Sequence, residues 1–592
     1  MPIHNADIAD VFDEIADCLE IDGANPFRVR AYRNAARTVR GLGVELRDLV
    51  AQDDDLTRLP GIGKDLAAKI QEILVRGTAQ ALEKLRARIP PTLTEILKIP
   101  NLGPKRVRVL FQELKIQTLE QLREAAQKGD IRQLPGFGAQ TERHILEAVE
   151  ARATKAKRIK LAVARSYVDS LIDYLKKVPG VEQVVAAGSY RRCQETVGDL
   201  DILVTARQDS PVMARFVQYD EVKEILSQGR TRSSVVLVSG LQVDLRRVEQ
   251  ASFGAALQYF TGSQAHNIAI RRMGIQRGLK INEYGVFRLD QRVAGATEES
   301  VYRALGLPYI PPELRESRGE IEAAGRQGLP KLIELSDIKG DLHVHTNATD
   351  GRFALKEMAL AAADRGLQYI AITDHSDQLK VAGGLTPSQL RRQLDEIDRL
   401  NEELPGITIL KGIEAEILKD GRLDLPEKIA AELDLVIGSV HSHFALPLPK
   451  QTERILRAMD HPHFTILAHP TGRLIDERDP YAVDMGRIIA KARERGCYLE
   501  LNASPKRLDL LDIYCQVARE EGVRVAINSD AHGIDDFDNL IYGVGQARRG
   551  WLGRDDVLNT RDLAELRRLL KDALVPPAAG KTPLGKPSTQ TV

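Results

Sequence analysis

Two aspartates one residue apart, Asp199 and Asp201, open the run Asp199-Leu200-Asp201-Ile202-Leu203-Val204, whose period of two puts both carboxylates on the face opposite Leu200 and Ile202. A third acid, Asp244, lies in Leu241-Gln242-Val243-Asp244-Leu245, which follows Val235-Val236-Leu237-Val238 across Ser239-Gly240 and predicts a hairpin that could bring it beside the first two. Carboxylates gathered so closely repel one another unless cations neutralise them, and an all-oxygen set suits Mg2+ or Mn2+. Two such ions about 3.5–4 Å apart clamp the attacking and leaving oxygens of an in-line phosphoryl displacement, which is nucleotidyl-transfer chemistry. Asp-x-Asp alone is common on solvated strand faces. The third acid, and the preceding turn Gly188-Ser189-Tyr190-Arg191-Arg192 with its two guanidiniums, turn the reading towards catalysis.

A second constellation has different chemistry. Of the 12 histidines only His4, His144 and His266 precede residue 336. Beyond it, apolar runs end in Asp341-Leu342-His343-Val344-His345, Ile370-Ala371-Ile372-Thr373-Asp374-His375, Gly412-Ile413-Glu414, Gly438-Ser439-Val440-His441, Leu467-Ala468-His469, Leu499-Glu500-Leu501-Asn502 and Asn528-Ser529-Asp530-Ala531-His532. Seven strands delivering ligand-type residues at their C-terminal ends predict a parallel barrel with its site at that face. Imidazole with carboxylate suits zinc, manganese or iron. His461 and His463 precede their strand and are expected at the opposite end, in a structural or surface role.

The elements that position these residues change along the chain. Leu59-Pro60-Gly61-Ile62-Gly63-Lys64, Ile99-Pro100-Asn101-Leu102-Gly103-Pro104 and Leu134-Pro135-Gly136-Phe137-Gly138 each precede a helix-period stretch. Such turns can simply link helices, but three copies favour backbone N–H groups at helix N-termini contacting phosphates without reading sequence. Residues 1–150 hold 22 basic and 23 acidic side chains, residues 151–335 hold 28 and 21, and residues 336–592 hold 34 and 40, so the middle is basic and the end acidic. The acids among the apolar residues of the first 22 positions are not what a signal peptide is expected to show, and no apolar run approaches the roughly 18 residues of a membrane span, so a cytoplasmic protein is expected. Four cysteines with no C-x-x-C pair exclude a disulfide framework and a thiolate zinc site. The tail from Pro576 has a disordered composition.

The run Gly188-Ser189-Tyr190-Arg191-Arg192, Glu195-Thr196-Val197-Gly198-Asp199-Leu200-Asp201, with Val243-Asp244-Leu245-Arg246, Tyr259-Phe260-Thr261-Gly262-Ser263, Asn267, Arg271 and Asn282-Glu283-Tyr284, resembles the palm and following subdomain of a family X DNA polymerase. The resemblance implies that Asp199 and Asp201 hold both metals, and that Asp244 holds the catalytic one and helps activate the primer 3'-hydroxyl. Ser189, Arg192 and Gly198 would contact the incoming triphosphate, Tyr259 and Phe260 the sugar, and Asn267 and Arg271 the minor groove at the nascent pair. Cys193 and His266 depart from the beta branch, which has glycine and phenylalanine there. The Gly turns resemble helix-hairpin-helix motifs, implying DNA contact at Gly61, Gly63, Lys64, Gly103, Gly136 and Gly138, with Asn101 a departure in the middle copy. Lys69 matches the Schiff-base lysine that removes a 5'-deoxyribose phosphate in some members, and reads equally well as a phosphate-contacting cation. Arg28, Arg30, Arg33 and Arg37 could hold a 5'-phosphate or be a solvated face.

The order His343-x-His345, Asp350, His375, Glu414, His441, His469, Asp530-x-His532 resembles the PHP (polymerase and histidinol phosphatase) domain and fills all nine ligand positions. It implies one metal on His343, His345, Glu414 and Asp530, a second on Glu414, His441 and His469, and a third on Asp350, His375 and His532, hence up to three ions of Mn2+, Zn2+ or Fe2+. Together the resemblances imply the bacterial and archaeal two-module form: a multidomain chain with a helical helix-hairpin-helix region (1–85 and 86–155), an α+β nucleotidyltransferase palm (156–252), a thumb or fingers element at the nascent pair (253–318), a linker (319–335), a distorted (β/α)7 PHP barrel (336–575) and a tail (576–592). The activity expected is short-gap filling in base-excision-type repair with 3'-5' exonuclease action, AP-endonuclease and 3'-phosphatase activities being associated with some members. Gapped or nicked DNA and dNTPs are the expected partners, with other repair proteins left open as further ones and no membrane, and a monomer is expected. Two alternatives stay open: a DNA-end scaffold with inactive sites, and a PHP half that acts as a small-molecule phosphoesterase.

Overall fold

The computed structural model describes residues 5–40, 46–51, 54–59, 61–86, 88–90, 92–97, 99, 102–155, 158–326 and 328–574. Asn101 and the tail from Pro576 lie outside the described residues. The chain divides into two compact units, residues 1–157 and 158–592.

The first unit is helical. Ile8, Phe12, Ile15 and Leu19 recur at helical spacing on Asn5–Asp22 and pack with Tyr32, Ala35 and Ala36 of Pro26–Arg40, the Phe12 and Tyr32 rings meeting edge to face at 5.7 Å. Each Gly turn leads into a helix: α1 (Lys64–Arg76), α2 (Pro104–Leu114) and α3 (Ala139–Lys155).

Among its described residues the second unit contains four sheets: a five-stranded mixed one, a seven-stranded parallel one and two small antiparallel ones. Strands β1 (Val181–Ala186), β2 (Asp199–Ala206), β3 (Val222–Gln228), β4 (Arg232–Leu237) and β5 (Gln242–Arg247) form a mixed sheet of order β1-β2-β5-β4-β3. The predicted hairpin is β4-β5, and β5 then pairs with β2 in parallel. One face buries Leu200, Ile202, Val204, Val243 and Leu245. On the face that carries the aspartates, Leu203 packs with Ala187 and with Ala256 and Leu257 of the helix α5 (Phe253–Thr261). Helix α6 (Gln264–Gln276) and the small antiparallel strands β6 (Lys280–Asn282), β7 (Gly285–Arg288) and β8 (Gln291–Ala294) follow. The stretch 319–335 is more than a bare link, for its helix Glu320–Arg326 buries Ile321 and Ala324 against Tyr302, Leu307 and Leu314.

Seven strands, β9 (Gly340–Val344), β10 (Tyr369–Ile372), β11 (Thr408–Glu416), β12 (Leu435–Ser439), β13 (Ile466–Leu467), β14 (Tyr498–Asn502) and β15 (Val525–Asn528), follow one another in space as in sequence, all parallel. The ring is nearly closed where Val344 bridges Ala531 and Leu342 N–H donates to Asn528 Oδ1 (3.1 Å). Leu342, Ala371, Leu410, Ile437, Ile466 and Ala526 form an apolar cluster with Leu566, Leu569 and Leu570 of the C-terminal helix, and Tyr498 Oη donates to the Leu569 carbonyl (3.0 Å). That helix stoppers one end of the barrel and leaves the other to the histidines.

Candidate active sites

The register of β2 against β5 sets Asp201 opposite Asp244, with Asp199 opposite Gln242. Asp244 is buried and accepts hydrogen bonds from Gln242 Nε2 (3.1 Å) and Arg232 Nη2 (3.0 Å). Burial alone would raise its carboxyl, but the adjacent Ser234 side chain, the Gln242 hydrogen bond and the Arg232 charge hold it below the usual range. For Asp201, burial first and then repulsion from Asp199 and Asp244 push the pKa up to about 6. A strained all-carboxylate set of this kind fits a divalent cation, whose charge would reverse the shift.

The turn before β2 lies hard against these acids. Helix α4 (Gly188–Arg191) begins at φ +64, and a Cβ on Gly188 would come within 2.9 Å of Asp201 Oδ2. Ser189 and Arg192 therefore belong to the same neighbourhood as the aspartates. Arg192 Nε donates to Glu316 (3.0 Å) and its Nη1 to the Thr261 carbonyl, while Arg191 grips Glu298 through two nitrogens (2.9 and 2.6 Å). Gly198 leaves room beside Arg158, whose Nη1 would be 3.2 Å from an added Cβ. On α5 the Tyr259 and Phe260 rings meet edge to face at 5.0 Å, with the Arg271 guanidinium over Tyr259 (4.8 Å) and Arg246 over Phe260 (4.2 Å). Asn267 Nδ2 donates to the Tyr259 carbonyl (2.7 Å) and its Oδ1 accepts from Gln258 (2.9 Å), so the expected substrate residues of α5 and α6 are locked to one another. His266 is fully buried, its Nδ1 2.6 Å from Glu320 and its Nε2 3.0 Å from the Tyr302 hydroxyl; it is an internal strut.

In the helical unit Gly61 and Gly136 have φ of +78 and +83. Gly63 and Gly103 cap α1 and α2 with extended backbone, and a Cβ at Gly63, Gly103, Gly136 or Gly138 would meet nothing within 4 Å. Gly136 is required by its left-handed backbone, but at Gly63, Gly103 and Gly138 neither packing nor backbone conformation within the chain requires glycine, and the open space there suits close approach by something outside the chain. Lys64 is exposed at the first turn. Lys69 Nζ forms an ion pair with Asp65 at 2.5 Å, one turn away on the same helix. Arg33 is committed to Asp13, Asp17 and Glu20, and the Arg37 side chain lies outside the described residues.

At the open end of the barrel three groups of side chains offer ligand atoms within 4.8 Å of one another: His345 with Asp350, His375 and His532; His343 with His345 and Asp530; and His375 with Glu414 and His441. His469 Nε2 lies 3.0 Å from Glu414 Oε1. All nine expected residues thus converge, but His375 belongs to both the first and the third group and His345 to both the first and the second. Burial lowers His345, and the neighbouring His375 and His532 take it further, to about 3, so this imidazole is neutral. Burial works against the charged forms of His375 and His532, yet Glu414 and Asp350 raise them to about 10 and about 9. Glu414 and Asp530, which burial alone would raise, are held well below the carboxylate range by the surrounding histidines. Several buried nitrogens have no hydrogen-bond partner: His343 Nε2, both nitrogens of His345, and His375 Nδ1, the last only 2.9 Å from Glu414. Ring nitrogens turned towards carboxylates without hydrogen-bond geometry fit divalent cations, which would take the place of the protons that the bare carboxylates favour.

Behind these ligands stand residues that the spacing did not assign. Glu500 accepts from His343 Nδ1 (2.7 Å), Asn528 Nδ2 (2.9 Å), the His469 backbone N–H (2.8 Å) and Asn502 Nδ2 (3.2 Å). Glu416, 3.1 Å from His441 Nδ1, does the same on the other side. Their signal was position at strand ends: Glu416 stands two residues after Glu414, and Glu500 two before Asn502. His461 and His463 pair with Glu427 (3.2 and 3.4 Å), outside the three ligand groups. The four cysteines are free, and among the described residues no helix is long and apolar enough to cross a membrane.

Comparison with known proteins gives a consistent segmentation. Residues 3–79 match a helix-hairpin-helix domain, 93–151 a SAM-like helix-hairpin-helix tandem, 158–276 a DNA polymerase beta palm, 256–316 a DNA polymerase beta thumb and 341–504 a PHP domain. The DNA polymerase/3'-5' exonuclease PolX of Bacillus subtilis (strain 168) is 39% identical over 573 residues, 96% of this chain and 100% of that one. A probable phosphatase of Thermoanaerobacter sp. (strain X514) is 30% identical over 243 residues, 39% of this chain and 94% of its own, and one of Caldanaerobacter subterraneus is 33% identical over 215 residues, 34% and 80% respectively.

Proposed function

The chain belongs to the family X DNA polymerases that carry a C-terminal PHP domain, and on that premise we propose that it fills short gaps in DNA under repair and trims 3' ends, in a pathway of base-excision type. The observation that carries the first activity is the Asp201–Asp244 register with the Arg192 turn packed onto it. The second rests on the ring of partnerless histidine nitrogens facing Glu414 and Asp530.

Asp199, Asp201 and Asp244 would hold Mg2+ or Mn2+, and the nine barrel residues up to three ions of Mn2+, Zn2+ or Fe2+. When bound, such ions neutralise the carboxylates and lend Lewis acidity at the phosphoryl group. Asp244, kept ionised by Arg232 and Gln242, is the carboxylate set to draw the proton from a primer 3'-hydroxyl. Ser189, Arg192 and Gly198 receive the triphosphate, Tyr259 and Phe260 pack against the sugar, and Asn267 and Arg271 reach the minor groove. The Gly turns hold the phosphates on either side of the gap, so binding is largely independent of sequence and sensitive to salt. The protein acts as a cytoplasmic monomer on gapped or nicked DNA with dNTPs, and its PHP site extends to AP-endonuclease or 3'-phosphatase action.

Asp201→Ala abolishes primer extension and leaves 3' shortening, and His343→Ala does the reverse; each loss exceeds the roughly 10–100-fold that removal of an outer-shell partner costs. Loss of both activities in either variant contradicts two separate sites. Hydrolysis of a free phosphate monoester in preference to a DNA 3' end would favour a small-molecule phosphoesterase, as the names of the phosphatase relatives suggest.

A further inference from the structure

The seam between the polymerase half and the barrel runs through the proposed nucleotide site. Helix α7 (Asp512–Glu520) and helix α8 (Leu540–Arg549) belong to the barrel, and Arg549 ends the second of them. Its side chain is 4% exposed. Nη1 donates both to the backbone carbonyl of Arg192 (2.9 Å) and to Glu316 Oε1 (2.8 Å), and Nη2 donates to Asp512 Oδ2 (2.7 Å). Glu316 Oε1 is the same oxygen that accepts from Arg192 Nε (3.0 Å) and Gln194 Nε2 (2.7 Å). One carboxylate oxygen, on a side chain only 14% exposed, thus holds two guanidiniums, one from each half of the unit.

This arrangement has a consequence for nucleotide binding. A triphosphate arriving beside the aspartates competes with Glu316 for the Arg192 guanidinium. When Arg192 turns to the phosphate, Glu316 would be left as a largely buried charge with one amide donor, were Arg549 not already on it. Burial alone would raise the Glu316 carboxyl, but Arg549 and Arg192 outweigh it and hold it below its ordinary value. Arg549 also fixes the Arg192 backbone through its carbonyl, so the residue pivots at the side chain while its main chain stays in place.

We propose that Arg549 of the barrel is a positioning residue for the polymerase reaction: it keeps Glu316 neutralised, so that Arg192 can be handed from that carboxylate to the triphosphate of an incoming nucleotide. The inference rests on the polymerase reading above and adds a part played in it by the other domain. It does not involve the barrel's metal-ligating residues.

The test is single-nucleotide insertion into a one-nucleotide gap by the full chain, with KM for the dNTP and kcat determined separately and 3' shortening recorded as the check on folding. Arg549→Gln raises KM about tenfold and leaves kcat within about threefold, and Arg549→Lys recovers much of the loss. Arg548→Gln removes a neighbouring seam arginine, bonded to Glu313 (2.7 Å) and the Ile333 carbonyl (2.8 Å), without touching Glu316, and leaves KM unchanged. In a Glu316→Gln background there is no carboxylate to strand, and adding Arg549→Gln no longer raises KM. An unaltered KM in Arg549→Gln overturns the inference, and so does an equal rise in Arg548→Gln, which would mark general loosening of the seam. If Glu316→Gln fails to suppress the effect, the handover is equally refuted. A wild-type chain that inserts no nucleotide at all would remove the polymerase reading itself, an outcome distinct from any of these.

Discussion

Glu500→Gln isolates the support behind the barrel histidines. The Glu500 carboxylate is fully buried and accepts from four donors, two on each oxygen. An amide offers one oxygen and one NH2, so two donors must face a donor. Asn528 cannot turn over, because its Oδ1 already accepts from Leu342 N–H, and Asn502 Oδ1 is likewise used by Ser504 N–H. With NH2 on the side of His469 and Asn502, two fixed donors are unpaired, at about 1–3 kcal/mol each. With NH2 on the side of His343 and Asn528, only Asn528 is unpaired, because His343 can change tautomer, accept at Nδ1 and carry its proton on Nε2. The second arrangement is cheaper by roughly one donor, and it places a proton on the nitrogen that faces Glu414 (3.3 Å) and Asp530 (3.5 Å). The expected result is a 10–100-fold loss of metal affinity in the barrel, about 1.4–2.7 kcal/mol, with gap filling intact. The assay is metal content after equilibration at a series of buffered free Mn2+ concentrations, alongside 3' shortening. Wild-type metal content with wild-type shortening would refute the reasoning that Glu500 sets the His343 tautomer.

Other consequences can be checked in the same way. Because Asp201 has its folded pKa raised to about 6 from 3.8, the metal-free fold is weakened by its ionisation above pH 6 and relieved as pH falls towards 4. In EDTA, Asp201→Asn is therefore more stable than wild type at pH 7–8, by on the order of 3 kcal/mol, and the gap closes on acidification through pH 6; a pH-independent gap in thermal melts argues against it. Gly103→Asp places a good N-cap residue where a Cβ meets open space, so stability holds within about 0.5 kcal/mol while affinity for gapped DNA falls at low salt and the deficit shrinks at high salt. Unchanged binding would deny phosphate contact at that turn. Borohydride trapping on an abasic 5' end decides Lys69, an undiminished adduct in Lys69→Ala excluding it as the lyase nucleophile.

Much of this was legible in the chain because the chemistry sits at strand ends. The alternation in β2 and the hairpin carrying Asp244 fixed which carboxylates would meet, and the ordered barrel strands carried their ligands in sequence, so local spacing mapped directly onto a shared face. The ligand grouping was less legible. His375 and His345 each lie between two groups, which depends on side-chain directions in three dimensions. Glu500 and Glu416 looked like further strand-end acids until the structure showed them accepting from His343 and His441. The Arg192–Glu316–Arg549 triad joins residues more than a hundred positions apart, and His266 finds Glu320 54 residues away, distances over which no periodicity speaks. The stretch 319–335 was expected to be a link only from the family resemblance, yet its helix packs because Ile321 and Ala324 have an apolar surface to meet.

The most direct test of the account follows an internally labelled primer in a one-nucleotide gap with a 5'-phosphate, incubated with the full chain and Mn2+, with and without dNTPs. Two independent metal-dependent sites predict extension when dNTPs are present and shortening when they are absent. A primer of unchanged length in both, on DNA that the protein stably binds, would contradict both sites and leave a scaffold for DNA ends.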